Sequence, residues 1–314
     1  MADPSNILIT TSTFGVDKNS ALEKLTRAGF TVHTNPHARR LKEDEIYDLV
    51  VELRPIGIIA GLEPLTRRVL EAAANNLRIV SRCGTGIDNI DLEAAKDLKI
   101  KVRNTPGAPS RAVSELTVAA ILDLLRHVAK SDRAIRRGAF DKEMGRLLGT
   151  CTIGIIGYGR IGRNVATLCS SFGSKIIAYD EISPEIEDAA VDFVTLDTLL
   201  RTADVVTLHI PSPLNGTHFI NRERLLSMKR GAVLINHARG DLVDENALYE
   251  QIKLRHLSGA AIDVFASEPY HGPLVELENV LLTPHVGSYA SETRAQMELE
   301  AAENLSTVVL RQTG

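Results

Sequence analysis

Three cysteines in 314 residues, at 83, 151 and 169, are too scattered and of the wrong number for a disulfide framework. No Cys-x-x-Cys and no accompanying histidine pattern suggests zinc, so reduced thiols and no metal are expected. An excess of positive charge is also lacking: 36 Lys and Arg against 40 Asp and Glu leave a formal net charge of −4. Without a basic stripe to neutralise phosphates, nucleic-acid binding is not suggested. No apolar run reaches the roughly 20 residues that a membrane span requires. The opening Met1-Ala2-Asp3-Pro4-Ser5-Asn6 lacks the basic and apolar regions of a secretory signal, so cytoplasmic residence is expected. There is no sequence repeat and no low-complexity tract. What is left, 44% hydrophobic and 24% charged, is the composition of a globular protein long enough for two domains.

Apolar periodicity gives the class. Short β-rich runs at 6–10, 30–33, 57–60 and 78–81 alternate with helix-like stretches such as 20–28 and 66–74, which predicts a mostly parallel sheet with helices on its faces. After Lys101-Val102-Arg103, the breaker cluster Asn104-Thr105-Pro106-Gly107-Ala108-Pro109 marks a crossover to a second domain. A long helical region to about 137 follows, with Val113, Leu116, Ala120, Leu124 and His127 at helical spacing. Six further runs, at 152–156, 175–179, 205–209, 232–235, 259–262 and 280–282, predict a complete doubly wound domain. The tail 290–310 places Met297, Ala301, Leu305 and Val308 on one helical face and is expected to return onto the first domain.

Gly157-Tyr158-Gly159-Arg160-Ile161-Gly162 follows the apolar run 151–156 and opens a helical stretch, and Asp180 closes the next apolar run. Strand, glycine turn, helix, strand and terminal acid together form a dinucleotide-binding fingerprint. Gly157 permits the tight turn, Gly159 lets the backbone approach a pyrophosphate, and Gly162 lets helix pack closely on strand. Asp180 suits a free ribose 2′-hydroxyl and repels a 2′-phosphate, so NAD is the expected cofactor.

Three polar residues lie at or just beyond the ends of the late strands: Arg239, Glu268 and His285. The carboxyl ends of strands are where an open α/β sheet presents its ligand crevice. Hydride exchange between an alcohol carbon and nicotinamide leaves one proton to be handled, and imidazole suits that work near neutrality. His285 is thus the candidate acid/base, Glu268 the carboxylate that orients it, and Arg239 the fork that holds a substrate carboxylate and polarises the neighbouring carbonyl.

The chain resembles the D-isomer-specific 2-hydroxyacid dehydrogenases, most of all their phosphoglycerate dehydrogenase branch. The resemblance lies in Ser81-Arg82-Cys83-Gly84-Thr85-Gly86-Ile87-Asp88-Asn89-Ile90-Asp91, Asn104-Thr105-Pro106-Gly107, the fingerprint, Asn236-His237-Ala238-Arg239-Gly240 with Val243-Asp244-Glu245, Ala261-Ile262-Asp263-Val264-Phe265 with Glu268-Pro269, and Pro284-His285-Val286-Gly287-Ser288. It implies an α/β protein of two doubly wound parallel-sheet domains, with a Rossmann NAD-binding domain at 105–285 inserted into a flavodoxin-like substrate-binding domain made of 1–104 and 286–314. It also implies a homodimer built through the cofactor domains. Arg239, Glu268 and His285 would be the catalytic trio. Thr85, Arg160, Ile161, Asp180, His209, Ile210, Pro211, His237, Ala238, Arg239, Asp263, His285, Gly287 and Ser288 would join Gly157, Gly159 and Gly162 around the dinucleotide, with Asp263 on the nicotinamide carboxamide. Cys83, Gly84, Thr85 and Gly86 would hold the substrate carboxylate through their amides, with Arg239 opposite.

The activity so implied is NAD-dependent interconversion of a D-2-hydroxy acid and its 2-oxo acid, with 3-phosphoglycerate the leading substrate because Arg82 offers a cation to a second anionic group. Hydroxypyruvate, glyoxylate and sulfolactate are the alternatives. Three departures from the branch stand out: Gly61 where a second phosphate-binding arginine is usual, His237 where a small residue or cysteine is usual, and Asp241 where glycine is usual. A dinucleotide-sensing corepressor is the competing reading of another class, although no additional partner-binding segment is evident. Glu268 argues against a formate dehydrogenase relative, which would carry glutamine there.

Overall fold

The computed structural model describes residues 6–15, 20–181, 190–213 and 216–310. The chain divides into two compact units, 1–109 with 288–314, and 110–287.

The first unit is built on a parallel sheet of β1 (Asn6–Ile9), β2 (Thr31–Thr34), β3 (Gly57–Ala60), β4 (Ile79–Arg82) and β5 (Lys101–Asn104), in the order β2-β1-β3-β4-β5. The chain reverses its direction of winding between β1 and β3, which makes that gap the switch point where such sheets open a crevice. β3 and β4 are buried along their whole length, as strands covered on both faces must be, while the edge strands β2 and β5 each carry exposed residues. The tail forms the helix Ser291–Leu310, with Met297, Ala301, Leu305 and Val308 all buried in this unit's core. Leu305 seats on β3 because residue 57 is glycine: a Cβ there would stand 2.8 Å from the leucine Cδ1. The Ser81 hydroxyl donates to the Ala301 carbonyl at 2.9 Å and ties the helix to β4.

The second unit carries β6 (Thr152–Ile156), β7 (Lys175–Tyr179), β8 (Asp192–Phe193), β9 (Val205–Leu208), β10 (Val233–Asn236), β11 (Gly259–Ile262) and β12 (Val280–Leu282), parallel and ordered β12-β11-β10-β9-β6-β7-β8. The strands follow Rossmann order, with its switch point between β6 and β9. Two expectations need correction. The sheet has seven strands, not six: β8, two residues long, pairs with β7 at the edge and is too short to give a periodic signal. The long helical region is two helices, Pro109–Arg126 and Val128–Arg136, broken at His127 with φ 54°. Asp123 supports the break by accepting the Ala129 amide at 2.6 Å, the capping bond that a restarted helix needs.

Among the described residues, no helix is long and apolar enough to cross a membrane.

Candidate active site

The fingerprint turn sits at the β6/β9 switch point and uses its glycines for space. Gly157 has φ +94°, a left-handed conformation that side chains disfavour, and a Cβ on it would stand 2.5 Å from the His209 carbonyl oxygen at the end of β9. A Cβ on Gly162 would collide with the Gly157 carbonyl, so this residue sets how closely the helix Arg160–Ser171 approaches β6. Gly159 is different. It caps that helix, and nothing lies within 4 Å of its Cβ position. Gly159 therefore leaves its own Cβ position clear at the start of a 12-residue helix, the kind of helix end where a pyrophosphate is favoured by hydrogen bonding and by the helix dipole. At the end of β7, Asp180 accepts the Tyr158 amide at 2.7 Å and so lies beside the same turn. These residues fit a dinucleotide with a free ribose hydroxyl. Arg160 is exposed at the first helical position, and Ile161 and Ile210 are half-buried.

Four loops after β9, β10, β11 and β12 carry the remaining residues. Asn236, fully buried at the end of β10, donates to the Arg239 carbonyl at 2.8 Å and accepts the Ala238 amide at 3.2 Å, closing the turn that presents Arg239. Gly240 follows because a Cβ there would strike the Phe265 backbone. The Arg239 guanidinium is half-buried and donates to the Ala238 carbonyl at 2.7 Å. His285 Nδ1 lies 3.1 and 3.2 Å from the two carboxylate oxygens of Glu268, with the side chains 34% and 23% exposed. With Nδ1 engaged by a carboxylate, Nε2 is the nitrogen left for proton exchange.

His285 holds φ 55°, a conformation that costs a non-glycine residue on the order of 1–3 kcal/mol unless its surroundings impose it. Asp263 imposes it. This residue, 1% exposed at the end of β11, accepts the Val286 amide at 2.8 Å and the Thr283 hydroxyl at 2.6 Å on one oxygen, and the Gly287 amide at 2.8 Å on the other. Its own carbonyl accepts the His285 amide at 2.8 Å. The sequence pointed to Asp263 as a cofactor contact; the structure adds that its carboxylate anchors the loop carrying the candidate acid/base.

Two other histidines stand at the same sheet edge but are not equivalent to His285. Burial pushes His209 down to about 3, and the neighbouring His237 adds to the effect. His237 is likewise lowered by burial, which outweighs the favourable charge of Asp263. Its Nδ1 lies 3.2 Å from the Thr117 hydroxyl, which itself donates to the Val113 carbonyl and so accepts from the imidazole. Both rings are neutral at physiological pH and offer no proton in the working range. Asp241 accepts from the Ser212 hydroxyl at 3.0 Å, and Pro211 is exposed.

Thr85 and Ser288 belong to the other unit, as does the segment Arg82 to Gly86. There, the Cys83 amide donates to the Ala60 carbonyl at 2.9 Å, and the Gly84 amide to the Thr105 hydroxyl at 2.8 Å. The Cys83 and Gly84 amides thus already have acceptors within this unit. Cys83 itself points into the core, and burial pushes its thiol up to about 11. All three cysteines are free and buried. Sequence reasoning missed Asn236, Thr283 and Thr117; a polar residue ending an otherwise apolar strand is the signal that identifies Asn236.

A family model described as the NAD binding domain of D-isomer specific 2-hydroxyacid dehydrogenases matches residues 118–287. The chain is 38% identical to a hydroxypyruvate reductase of Thermotoga maritima, over 85% of this chain and 89% of that one. It is 37% identical to a D-3-phosphoglycerate dehydrogenase of Methanocaldococcus jannaschii, over 87% of this chain but 53% of that longer relative. A solved structure of a protein from Thermus thermophilus superimposes with a TM-score of 0.88 at 35% identity, covering 98% of this chain and 97% of that one.

Proposed function

We propose, for a chain that belongs to the D-isomer specific 2-hydroxyacid dehydrogenase family, the interconversion of a small D-2-hydroxy acid and its 2-oxo acid, with His285 carrying the proton, Glu268 orienting it and Arg239 holding the substrate. The observation that carries this reading is the His285–Glu268 pair, 3.1 Å apart, on a loop anchored by Asp263. NAD bound at the fingerprint supplies or accepts the hydride. His285 Nε2 gives its proton to the C2 oxygen in the reductive direction and takes it back in the oxidative one. Glu268 orients the ring from the Nδ1 side. Arg239 offers two parallel N–H groups to the substrate carboxylate and stabilises charge developing on the adjacent oxygen. We further assign the amides of Thr85 and Gly86 to the substrate carboxylate.

Glu268→Gln tests the pair directly. Glutamine keeps a hydrogen-bond partner for Nδ1 but removes the carboxylate that pairs with the ring. The variant is expected to lower kcat in both directions by about tenfold or more. Parental kcat in both directions contradicts the role given to Glu268.

Asp180 supports NAD over NADP, since its carboxylate meets a 2′-phosphate with like charge. Asp180→Ala is expected to narrow the ratio of kcat/KM for NADH over NADPH by about tenfold or more. Equal efficiency with the two cofactors in the parent contradicts this assignment.

Large apolar side chains are exposed along one stretch of the second unit, among them Phe140 at 82%, Met144 at 92% and Leu147 at 66%. Such a surface is what a subunit contact covers, which supports a homodimer formed through this unit.

A further inference from the structure

Glu268 meets His285 from an irregular loop after β11, and its Oε1 is shared. It lies 3.1 Å from His285 Nδ1 and accepts the Phe265 amide at 3.3 Å, so the backbone at 265–266 sets which way the carboxylate faces. That backbone is held on two sides. The turn after β10 packs against it, since a Cβ on Gly240 would strike the Phe265 carbonyl and the Ala266 nitrogen. Glu245 Oε1 accepts the Ala266 amide at 3.0 Å. The Phe265 ring also stacks on Tyr270 with centroids 4.3 Å apart, and the Tyr270 hydroxyl accepts the Leu274 amide at 3.2 Å. Glu245 has the firmer mount. It is the first residue of the helix Glu245–Lys253, capped by Asp244, whose side chain accepts the Ala247 amide at 2.9 Å. The Asp244 amide donates to the Ile220 carbonyl at 3.0 Å, and Val243, Ala247 and Leu248 are buried in the core. Ala266 and Ser267, by contrast, are exposed. An acid at a helix start is favoured by the dipole while fully solvated. Glu245 is instead half-buried, and burial raises its pKa against the Ala266 amide and the charge of His218. The carboxyl is thus partly desolvated where it reaches beyond its helix to the loop that carries Glu268.

We propose that Glu245 is a positioning residue for the reaction: by holding the Ala266 amide it fixes the backbone from which Glu268 meets His285. It acts through Glu268 and touches none of the reacting atoms. What the role requires is an acceptor oxygen at the reach of a glutamate side chain, and the negative charge is secondary. The Arg239 turn does not depend on it, because Asn236 closes that turn with its own two hydrogen bonds. This inference rests on the dehydrogenase reading above.

The test is a series at position 245, with kcat and KM measured for glyoxylate and hydroxypyruvate using NADH. Glu245→Ala is expected to lower kcat by about tenfold, the effect of a reacting group displaced by a fraction of an ångström, and to change KM for the acid by no more than about threefold. Glu245→Gln keeps the oxygen and the reach, and should hold kcat within about threefold of the parent. Glu245→Asp keeps the charge at the helix start but falls one methylene short, so it should behave like the alanine variant and decides the matter where that variant does not fold. Amide exchange at Ala266 should quicken in Glu245→Ala and Glu245→Asp and not in Glu245→Gln. In a Glu268→Ala background, Glu245→Ala should cost no more than about a further twofold, because two residues acting through one contact are not additive. Parental kcat in the alanine and aspartate variants, an aspartate variant that outperforms glutamine, or a full tenfold loss repeated without Glu268 overturns the positioning role and leaves the dehydrogenase standing. A parent that oxidises NADH with neither acid overturns both.

Discussion

His285→Asn is expected to lower kcat by about 10²–10⁴-fold, the usual worth of a positioned general acid or base, while the dissociation constant for NAD changes by no more than about threefold. Asparagine is the informative replacement because His285 has φ 55°, and a short amide side chain tolerates that conformation well. The loop therefore keeps its course, and the loss isolates the proton. The pyrophosphate and ribose parts of the dinucleotide site are spared because they lie elsewhere: the helix start at Gly159, the His209 carbonyl beside Gly157, and Asp180 on the Tyr158 amide. Neither His209 nor His237 can substitute, since burial keeps both rings neutral. Near-parental turnover, measured by nicotinamide absorbance, contradicts the assignment.

Asp263→Asn should cost nearly as much activity by a different route. The change leaves one acceptor oxygen and sets an amide donor against one of the two backbone N–H groups, Val286 or Gly287, that now point at the carboxylate. Hydrogen bonds to a charged group contribute about 1.5–3 kcal/mol each, so the loop no longer fixes the strained His285 backbone. A displacement of about 1 Å in a reacting group is enough to lose roughly 10² in rate. The expected result is a kcat reduced by about 10²-fold with a lowered melting midpoint, and more rapid amide exchange at Val286 and Gly287. Parental kcat with faster exchange at those amides contradicts the anchoring role.

What the sequence made legible is what local chemistry dictates. The fingerprint could be read because each glycine answers a contact within one strand–helix unit, Gly162 against the Gly157 carbonyl being the clearest. The pairing of Glu268 with His285 could be read because strand ends in a parallel sheet converge on one edge, whatever the details of packing. The break at His127 was hidden because the left-handed residue is neither glycine nor asparagine, and its compensation comes from the side chain of Asp123 in the preceding turn. The edge strand β8 was hidden by its length. Glu63 was the least legible: in Gly61-Leu62-Glu63-Pro64 it reads as a solvated loop acid, and only the packing of β1 beside β3 buries it against Thr10. Arg82 was legible as a cation, but not as one folded back onto its own loop. Side-chain direction and burial across neighbouring strands are set by tertiary contacts that a linear pattern does not encode.

The most direct measurement is NAD reduction by the separate enantiomers of glycerate and of lactate, followed by absorbance with the product acid identified. The account predicts reduction by the D-enantiomers, loss of that activity in His285→Asn, and the corresponding 2-oxo acid as product. Preference for the L-enantiomers, or no reduction by any of the four acids in protein that still binds NAD, contradicts it.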